Sequence, residues 1–311
     1  MQSSVNTGLY GTDHAECSKP ARLMHCPRDS PEETCYNGKT ALKGGVSAVA
    51  ESIARDRRGG ELAGNLDTSF LKVLALCFMF IDHLGAAVFP RVGELRIIGR
   101  MALPLYAWCL VVGSVKTHNA PRYALRLLGL AVLSQPLYMM ALNHSWTDLN
   151  ILFLLFIAQV ALQGIRARFM GSQIWVPALC YVLLGFVQVD YGWRGLTFIL
   201  LLYMARGSAG GLAATYLAYA LFWGSTSSQI NSLFGYPLTF LTWEGIGPVL
   251  AAFFRLQGMI WLSLPLILCR TKTGLRLPGR LGYWLYPIHL IVLILIRLMM
   301  GTPFMTLLRG F

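Results

Sequence analysis

The sequence predicts an all-α, polytopic integral membrane helix bundle of about nine transmembrane helices, with the N-terminus cytosolic. Three observations lead there. Of 311 residues, 55% are apolar and 13% charged, where soluble domains carry about 25% charge. Apolar runs of span length recur from residue 69 onwards, and mean hydropathy is +0.55. Lys and Arg gather in alternate loops between those runs.

Residues 1–67 come first. They hold nine of the fourteen acids and eight of the twenty-six bases, a net −1, and no long apolar run. Such a segment cannot bury enough surface to offset chain entropy, so it reads as a disordered polar cytosolic tail. Its start, MQSSVNTGLY, has no charged n-region and no apolar h-region, and is not read as a secretory signal. Cys17, Cys26 and Cys35 recur every nine residues near His14 and His25, a spacing that matches no common zinc pattern, and no metal is expected. Cys77, Cys109, Cys180 and Cys269 lie in apolar spans and read as small fillers.

Residues 68–311 form the membrane domain. The hydropathy pattern places spans at 69–89, 97–115, 121–142, 148–164, 174–189, 194–206, 210–224, 246–269 and 282–300. Residues 225–245, STSSQINSLFGYPLTFLTWEG, read as an outer loop or a re-entrant piece. Eighteen bases face five acids here, a net +13. Lys116, Arg122, Arg126, Arg166, Arg168, Arg206, Arg270, Lys272, Arg276 and Arg280 fall on one side, which the positive-inside rule makes cytosolic. The other side has Arg91, Arg96, Arg194 and Arg309, with Arg100 just inside the second span. All five acids, Asp82, Glu94, Asp148, Asp190 and Glu244, fall towards that outer side. Topology alone explains a basic inner rim. The same charge map also suits a polyanion entering from the cytosol and an acceptor arriving from outside. The basic loops are short and interfacial, so no nucleic-acid partner is expected. No Walker loop, dinucleotide glycine fingerprint or metal-ligand cluster occurs in the spans.

The stretch FIDHLGAAVFP (80–90) puts Asp82 and His83 inside the first span. An ionisable group near the bilayer centre costs about 2.5–3.5 kcal/mol on insertion scales, which makes it a functional candidate. Lys72 and His83 are eleven residues apart; at about 100° and 1.5 Å per residue they share a face, about 16 Å apart along the axis. Asp82 points about 100° away from His83, so the expected partner of Asp82 is Arg100, across on the second span. A neutral His83 imidazole can remove a proton near pH 7. The last span, GYWLYPIHLIVL (282–293), carries Tyr283, Tyr286 and His289 around Pro287, which frees a backbone carbonyl there. These polar groups are expected near the cytosolic half. The bland reading of both histidines is a hydrogen bond to a neighbouring helix.

LKVLALCFMFIDHLGA (71–86), LRIIGRMALPLYAW (95–108), LSQPLY (133–138), LNILF (149–153), VDYGWRGL (189–196) and YPIHL (286–290) occur in this order. Together they resemble the TraX family, named for the acetylase of conjugative-pilus pilin; Leu103 and Arg194 depart from its pattern. The resemblance extends to the wider group of transmembrane acyltransferases, in which a base, ten residues and a His mark the first span. It implies a multi-pass protein of the bacterial cytoplasmic membrane that takes acyl-CoA, usually acetyl-CoA, as donor. By resemblance His83 is the catalytic position and Lys72 belongs to the donor side. Tyr286 and His289 resemble a Tyr-then-His feature near the end of other members. With the charge map, Arg122, Arg126, Lys272 and Arg276 become candidates for the CoA phosphates, and Arg100 or a backbone N–H for the oxyanion. The expected function is an acetyltransferase carrying an acetyl group from cytosolic acetyl-CoA to an acceptor at the outer face. That acceptor is the pilin N-terminal amine or another amine or hydroxyl on protein, sugar or lipid. The alternatives are a proton-coupled transporter or exporter using the intramembrane Asp and His, and a non-catalytic assembly factor.

Overall fold

The computed structural model describes residues 62–307, with backbone alone at Gly279 and Arg280. Of the tail predicted to be disordered, 1–67, the part through residue 61, which holds Cys17, Cys26 and Cys35, lies outside the described residues, as do residues 308–311; its last residues, 62–67, instead pack on the bundle, with Leu62 and Asn65 buried.

Helix α1 (Thr68–Ala87) opens at Asp67, whose Oδ1 accepts from the Phe70 N–H and satisfies one of the free donors of the first turn. Helices α2 (Gly93–Gly99) and α3 (Ala102–Lys116) follow almost without interruption. Helix α4 (Ala120–Leu142) is capped by Asn119, whose side chain accepts from the Arg122 N–H. Helix α5 (Ile151–Ala167) is capped by Asn150, and α6 (Ser172–Phe186), α7 (Gly192–Ala205) and α8 (Ala209–Gly224) come next. Strands β1 (Ser232–Leu233) and β2 (Tyr236–Pro237) make a hairpin whose turn residues Phe234 and Gly235 both have positive φ, 50° and 80°, as a two-residue hairpin turn of the favoured hand requires. Helices α9 (Gly247–Phe253), α10 (Leu264–Leu268), α11 (Gly279–Met299) and α12 (Phe304–Leu307) complete the described chain.

Four stretches are long and apolar enough to cross a membrane: Thr68–Ala87, Gly93–Lys116, Ala120–Leu142 and Leu281–Met299. These are the first, second, third and last of the expected spans. Ile151–Ala167, Ser172–Phe186, Gly192–Ala205 and Gly258–Leu268 are apolar but shorter.

The expected eighth span, 246–269, is not one helix. It breaks into α9, a 3₁₀ segment (Gly258–Ser263) and α10. At the break the backbone bonds to side chains and to a neighbouring turn. The Arg255 guanidinium donates to the Ser225 and Ser227 carbonyls, and the Gln257 N–H donates to the Ser227 hydroxyl. Gly258 lies so close to Gly224 that a Cβ on Gly224 would stand 3.1 Å from the Gly258 Cα. Averaged hydropathy passes over such a break, because the polar groups are few.

Helix α3 is the inner helix. It packs on α1, α5 and α7, and 72% of the Gly93–Lys116 window is buried, against 33% for α1 and 39% for α4 and α11. The other long helices therefore keep an outer apolar face, as lipid contact requires. Helix α11 lies against α1 and α4, α4 against α5, α5 against α6 and α7, and α7 against α8. Fully buried Trp108 on α3 donates its indole N–H to the Asn65 carbonyl at 2.7 Å. Asn65 in turn bonds the Leu266 and Ile267 carbonyls of α10. The loop after α10 then sits on the first turn of α1: the Thr273 N–H and hydroxyl donate to Asp67 Oδ2, and the Leu277 N–H donates to the Ser69 hydroxyl. These bonds put Lys272 and Arg276 at the same end of the bundle as the start of α1.

Close helix contact at α5–α6 depends on Gly164, where a Cβ would stand 2.4 Å from the Val176 Cβ. Gly164→Ala is expected to lower the midpoint of thermal unfolding in detergent, corresponding to about 1–3 kcal/mol of overpacking. Gly129→Ala on α4, where a Cβ meets nothing within 4 Å, is expected to leave it unchanged or raise it slightly. Equal effects at the two positions would remove the packing explanation.

Candidate functional site

Asp82 and His83 are both 7% exposed, and they face different partners. Asp82 turns to α2, where Gly99 makes room: a Cβ there would stand 2.2 Å from the Asp82 Cβ. The expected pair is present, with Arg100 Nη2 donating to Asp82 Oδ1 at 2.8 Å. A second arginine joins it. Arg96 Nη1 donates to Asp82 Oδ2 at 3.0 Å. The sequence reading leaves Arg96 in the first outer loop; α2 is a helix, and residues four apart on a helix lie on one face. Arg100 also donates Nε–H to the Arg96 carbonyl at 3.2 Å and Nη1–H to the Gln257 side chain at 3.4 Å. Its guanidinium lies 5.9 Å from the Tyr191 ring centroid. One ion cluster, buried at Asp82 and Arg100 and part-exposed at Arg96, thus ties α1, α2, the break before the 3₁₀ segment and the turn before α7.

His83 turns to α11. Its Nδ1 lies 3.2 Å from His289 Nε2, with ring centroids 5.3 Å apart and planes at 22°. This contact leaves the other nitrogen of His83, Nε2, outside it. The Tyr286 ring meets the His289 ring edge-on at 4.9 Å, and the buried Tyr286 hydroxyl has no hydrogen-bond partner among the described residues. The sequence places His289 and Tyr286 near the cytosolic half of the last span. The contact instead sets His289 level with His83, because α11 packs on α1. Residues 206 positions apart meet here, and neither local segment holds a signal of that meeting.

The turn Val187–Tyr191 completes this end of the bundle. The Asp190 N–H donates to the Leu149 carbonyl, and the Leu149 N–H to the Gln188 carbonyl. Tyr191 has φ of 64°, a region uncommon for a residue other than glycine. Burial pushes the Asp190 carboxyl up to about 6; the Arg100 charge opposes this and the Asp82 charge adds to it. Asp148, by contrast, is held below the usual range by donors from Ser145 and by His144.

The basic candidates lie apart from this pair. Lys72, Arg122, Arg126, Lys272 and Arg276 are exposed. They sit where α1 begins, where α4 begins and in the loop that bonds to Asp67 and Ser69. Lys72 shares the helix of His83, but its end of the face is open while α11 covers His83. These exposed bases lie at the end where α1 begins, while Asp82, with its partners Arg96 and Arg100, and Asp148 and Asp190 lie towards the other. No group of three or more His, Cys, Asp or Glu with metal-binding geometry occurs among the described residues.

Comparison with known proteins adds a family. A model described as TraX protein matches residues 67–297. A probable fimbrial assembly protein FimC, serogroup H1, of Dichelobacter nodosus is 27% identical over 250 residues, covering 75% of this chain and 97% of that one. The uncharacterized protein RP591 of Rickettsia prowazekii (strain Madrid E) is 24% identical over 143 residues, covering 44% and 54%. No solved structure matches the chain.

Two predictions follow from the ion cluster and its neighbour. Asp82→Ala leaves the buried Arg100 unpaired and is expected to cost about 3–5 kcal/mol in unfolding measurements. Asp82→Ala with Arg100→Leu is expected to cost less than the two single changes added; simple additivity would show that the pair is not coupled. The raised Asp190 pKa means its protonated form suits the fold. Its stabilisation is present below the ordinary carboxylate pKa and lost as pH rises through about 6. Asp190→Asn is therefore expected to melt higher than wild type at alkaline pH, the gap closing under acid conditions. A gap that does not change with pH would rule this out.

Proposed function

The chain belongs to the TraX family, and on that footing we propose that it is an integral membrane acetyltransferase. It moves an acetyl group from cytosolic acetyl-CoA to an amine or hydroxyl at the outer face. The observation that carries the reading is His83: a buried imidazole in a membrane bundle, held at Nδ1 by His289 and with Nε2 left over for chemistry. In the proposed topology about nine segments traverse the cytoplasmic membrane, the shorter helices included, and the N-terminus is cytosolic. The fimbrial-assembly name of the Dichelobacter relative is in keeping with an acceptor on a surface-fibre subunit; a sugar, lipid or other protein amine is equally compatible with the site.

The charge map supports the donor side. CoA is a polyanion, and Lys72, Arg122, Arg126, Lys272 and Arg276 are exposed bases at the opposite end from Asp82. They take the phosphates, and the pantetheine arm runs between helices towards His83. His83 Nε2 removes the acceptor's proton as the acceptor attacks the thioester carbonyl, or attacks that carbonyl itself. The carbon–sulfur bond breaks, and the thiolate leaves with a proton. Asp82 and Arg100 hold α1 against α2 so that His83 stays in register with α11. Arg100 already donates to Asp82, the Arg96 carbonyl and Gln257, so its main part is to hold the site, with any oxyanion contact secondary.

The test is purified full-length protein in detergent with acetyl-CoA and a panel of amines, hydroxyls and fibre-subunit peptides. Acceptor-dependent release of free CoA thiol is expected, with His83→Ala reducing it by about 10²–10⁴-fold. Thiol release that is the same with His83→Ala removes the proposal. Vesicle uptake driven by a pH gradient without acyl-CoA would instead support a proton-coupled transporter.

A further inference from the structure

We propose that His289 is the positioning residue of His83, accepting the His83 Nδ1 proton at its own Nε2 and so holding the tautomer in which His83 Nε2 bears the lone pair. This rests on the acetyltransferase reading and adds a role to it. The geometry allows one hydrogen between His83 Nδ1 and His289 Nε2 at 3.2 Å. If that hydrogen belongs to His289, the second hydrogen of His83 sits on Nε2, and the ring has no base to offer. If it belongs to His83, Nε2 is a free base.

The surroundings of His289 choose between these. Its Nδ1 is buried with no hydrogen bond in place, and the groups beside its ring are the carbonyls of Leu285 and Tyr286. Carbonyls only accept. A proton on Nδ1 has acceptors within reach, whereas a bare lone pair there has no donor. Nδ1 therefore carries the His289 proton, and Nε2 receives the one from His83.

Among the described residues no carboxylate takes this place. Both oxygens of Asp82 are engaged by Arg96 and Arg100. The other charged or titratable groups that act on His83 are Arg96, Arg100 and His144, and Tyr286 meets the His289 ring edge-on. Two facing imidazoles hold at most one added proton between them at neutral pH, since a second meets like charge. The step then balances. The acceptor proton goes to His83 Nε2 as the new bond to the carbonyl carbon forms, and the Nδ1 proton passes to His289 Nε2. The carbon–sulfur bond breaks, the thiolate takes the proton from His83 Nε2, and His289 returns the other to His83 Nδ1.

The experiment compares His289→Gln and His289→Leu in the full-length protein. A glutamine oxygen can accept the Nδ1–H without taking the proton; leucine can do neither. For Leu a fall of about 10²–10⁴-fold in kcat is expected with KM for acetyl-CoA nearly unchanged, and for Gln a smaller fall with an altered pH–rate profile. Labelling of His83 by diethyl pyrocarbonate, read by mass spectrometry across pH, reports the same lone pair without turnover and is expected to slow in the Leu variant. Labelling in which both variants match wild type overturns the role, as does a raised KM with unchanged kcat, which makes His289 a donor-binding residue. If wild type releases no CoA, the acetyltransferase reading fails while the labelling still decides the pairing. If Leu does not fold, labelling of Gln decides alone: an unchanged pH dependence of His83 labelling counts against the role.

Discussion

A carboxylate held between a buried guanidinium and a part-exposed one is the constraint on which the site depends. Asp82 is bonded at both oxygens, to Arg100 and Arg96. Such charges remain in a low-dielectric interior only when each is paired and its other polar atoms are bonded. Arg100 meets that condition through the Arg96 carbonyl and Gln257 as well. The consequence is geometric. Helix α1 cannot rotate about its axis without breaking the cluster, and Gly99 lets the two backbones approach closely enough for it to form. With α1 held in rotation, the next residue, His83, has one direction to face.

That direction is α11. Because adjacent residues on a helix point about 100° apart, fixing Asp82 towards α2 turns His83 away from it and onto His289. The Asp–His adjacency in the chain is thus not a contact between the two side chains. It is a division of labour between two faces of one helix, the first structural and the second proposed to be chemical. The imidazole has a nitrogen for a neighbour where many acyl-transfer sites have a carboxylate. In a membrane interior an uncharged partner avoids the desolvation that another ionised group would bring.

The two ends of the bundle differ in charge. Exposed bases collect where α1 and α4 begin and in the loop bonded to Asp67. The acids and the paired rings lie further along. The loop that carries Lys272 and Arg276 is anchored by Thr273 and Leu277 to the first turn of α1. The proposed donor rim and the helix of His83 are therefore mechanically one piece.

Composition and periodicity by themselves determined the class: the membrane bundle, the positions of the four long apolar helices and the Asp82–Arg100 pair. Each depends on a property carried locally, either a run of apolar residues or an angle along one helix. Tertiary structure decided what local properties cannot hold. The stretch 246–269 keeps its average hydropathy while Arg255, Gln257 and Gly258 break its helix, because their partners, Ser225, Ser227 and Gly224, come from elsewhere in the chain. Arg96 became a partner of Asp82 only because α2 is helical where a loop is expected. The depth of His289, and its contact with His83, follow from α11 lying against α1. Hydropathy locates where a helix crosses; only the packing of one helix on another says which side chains meet.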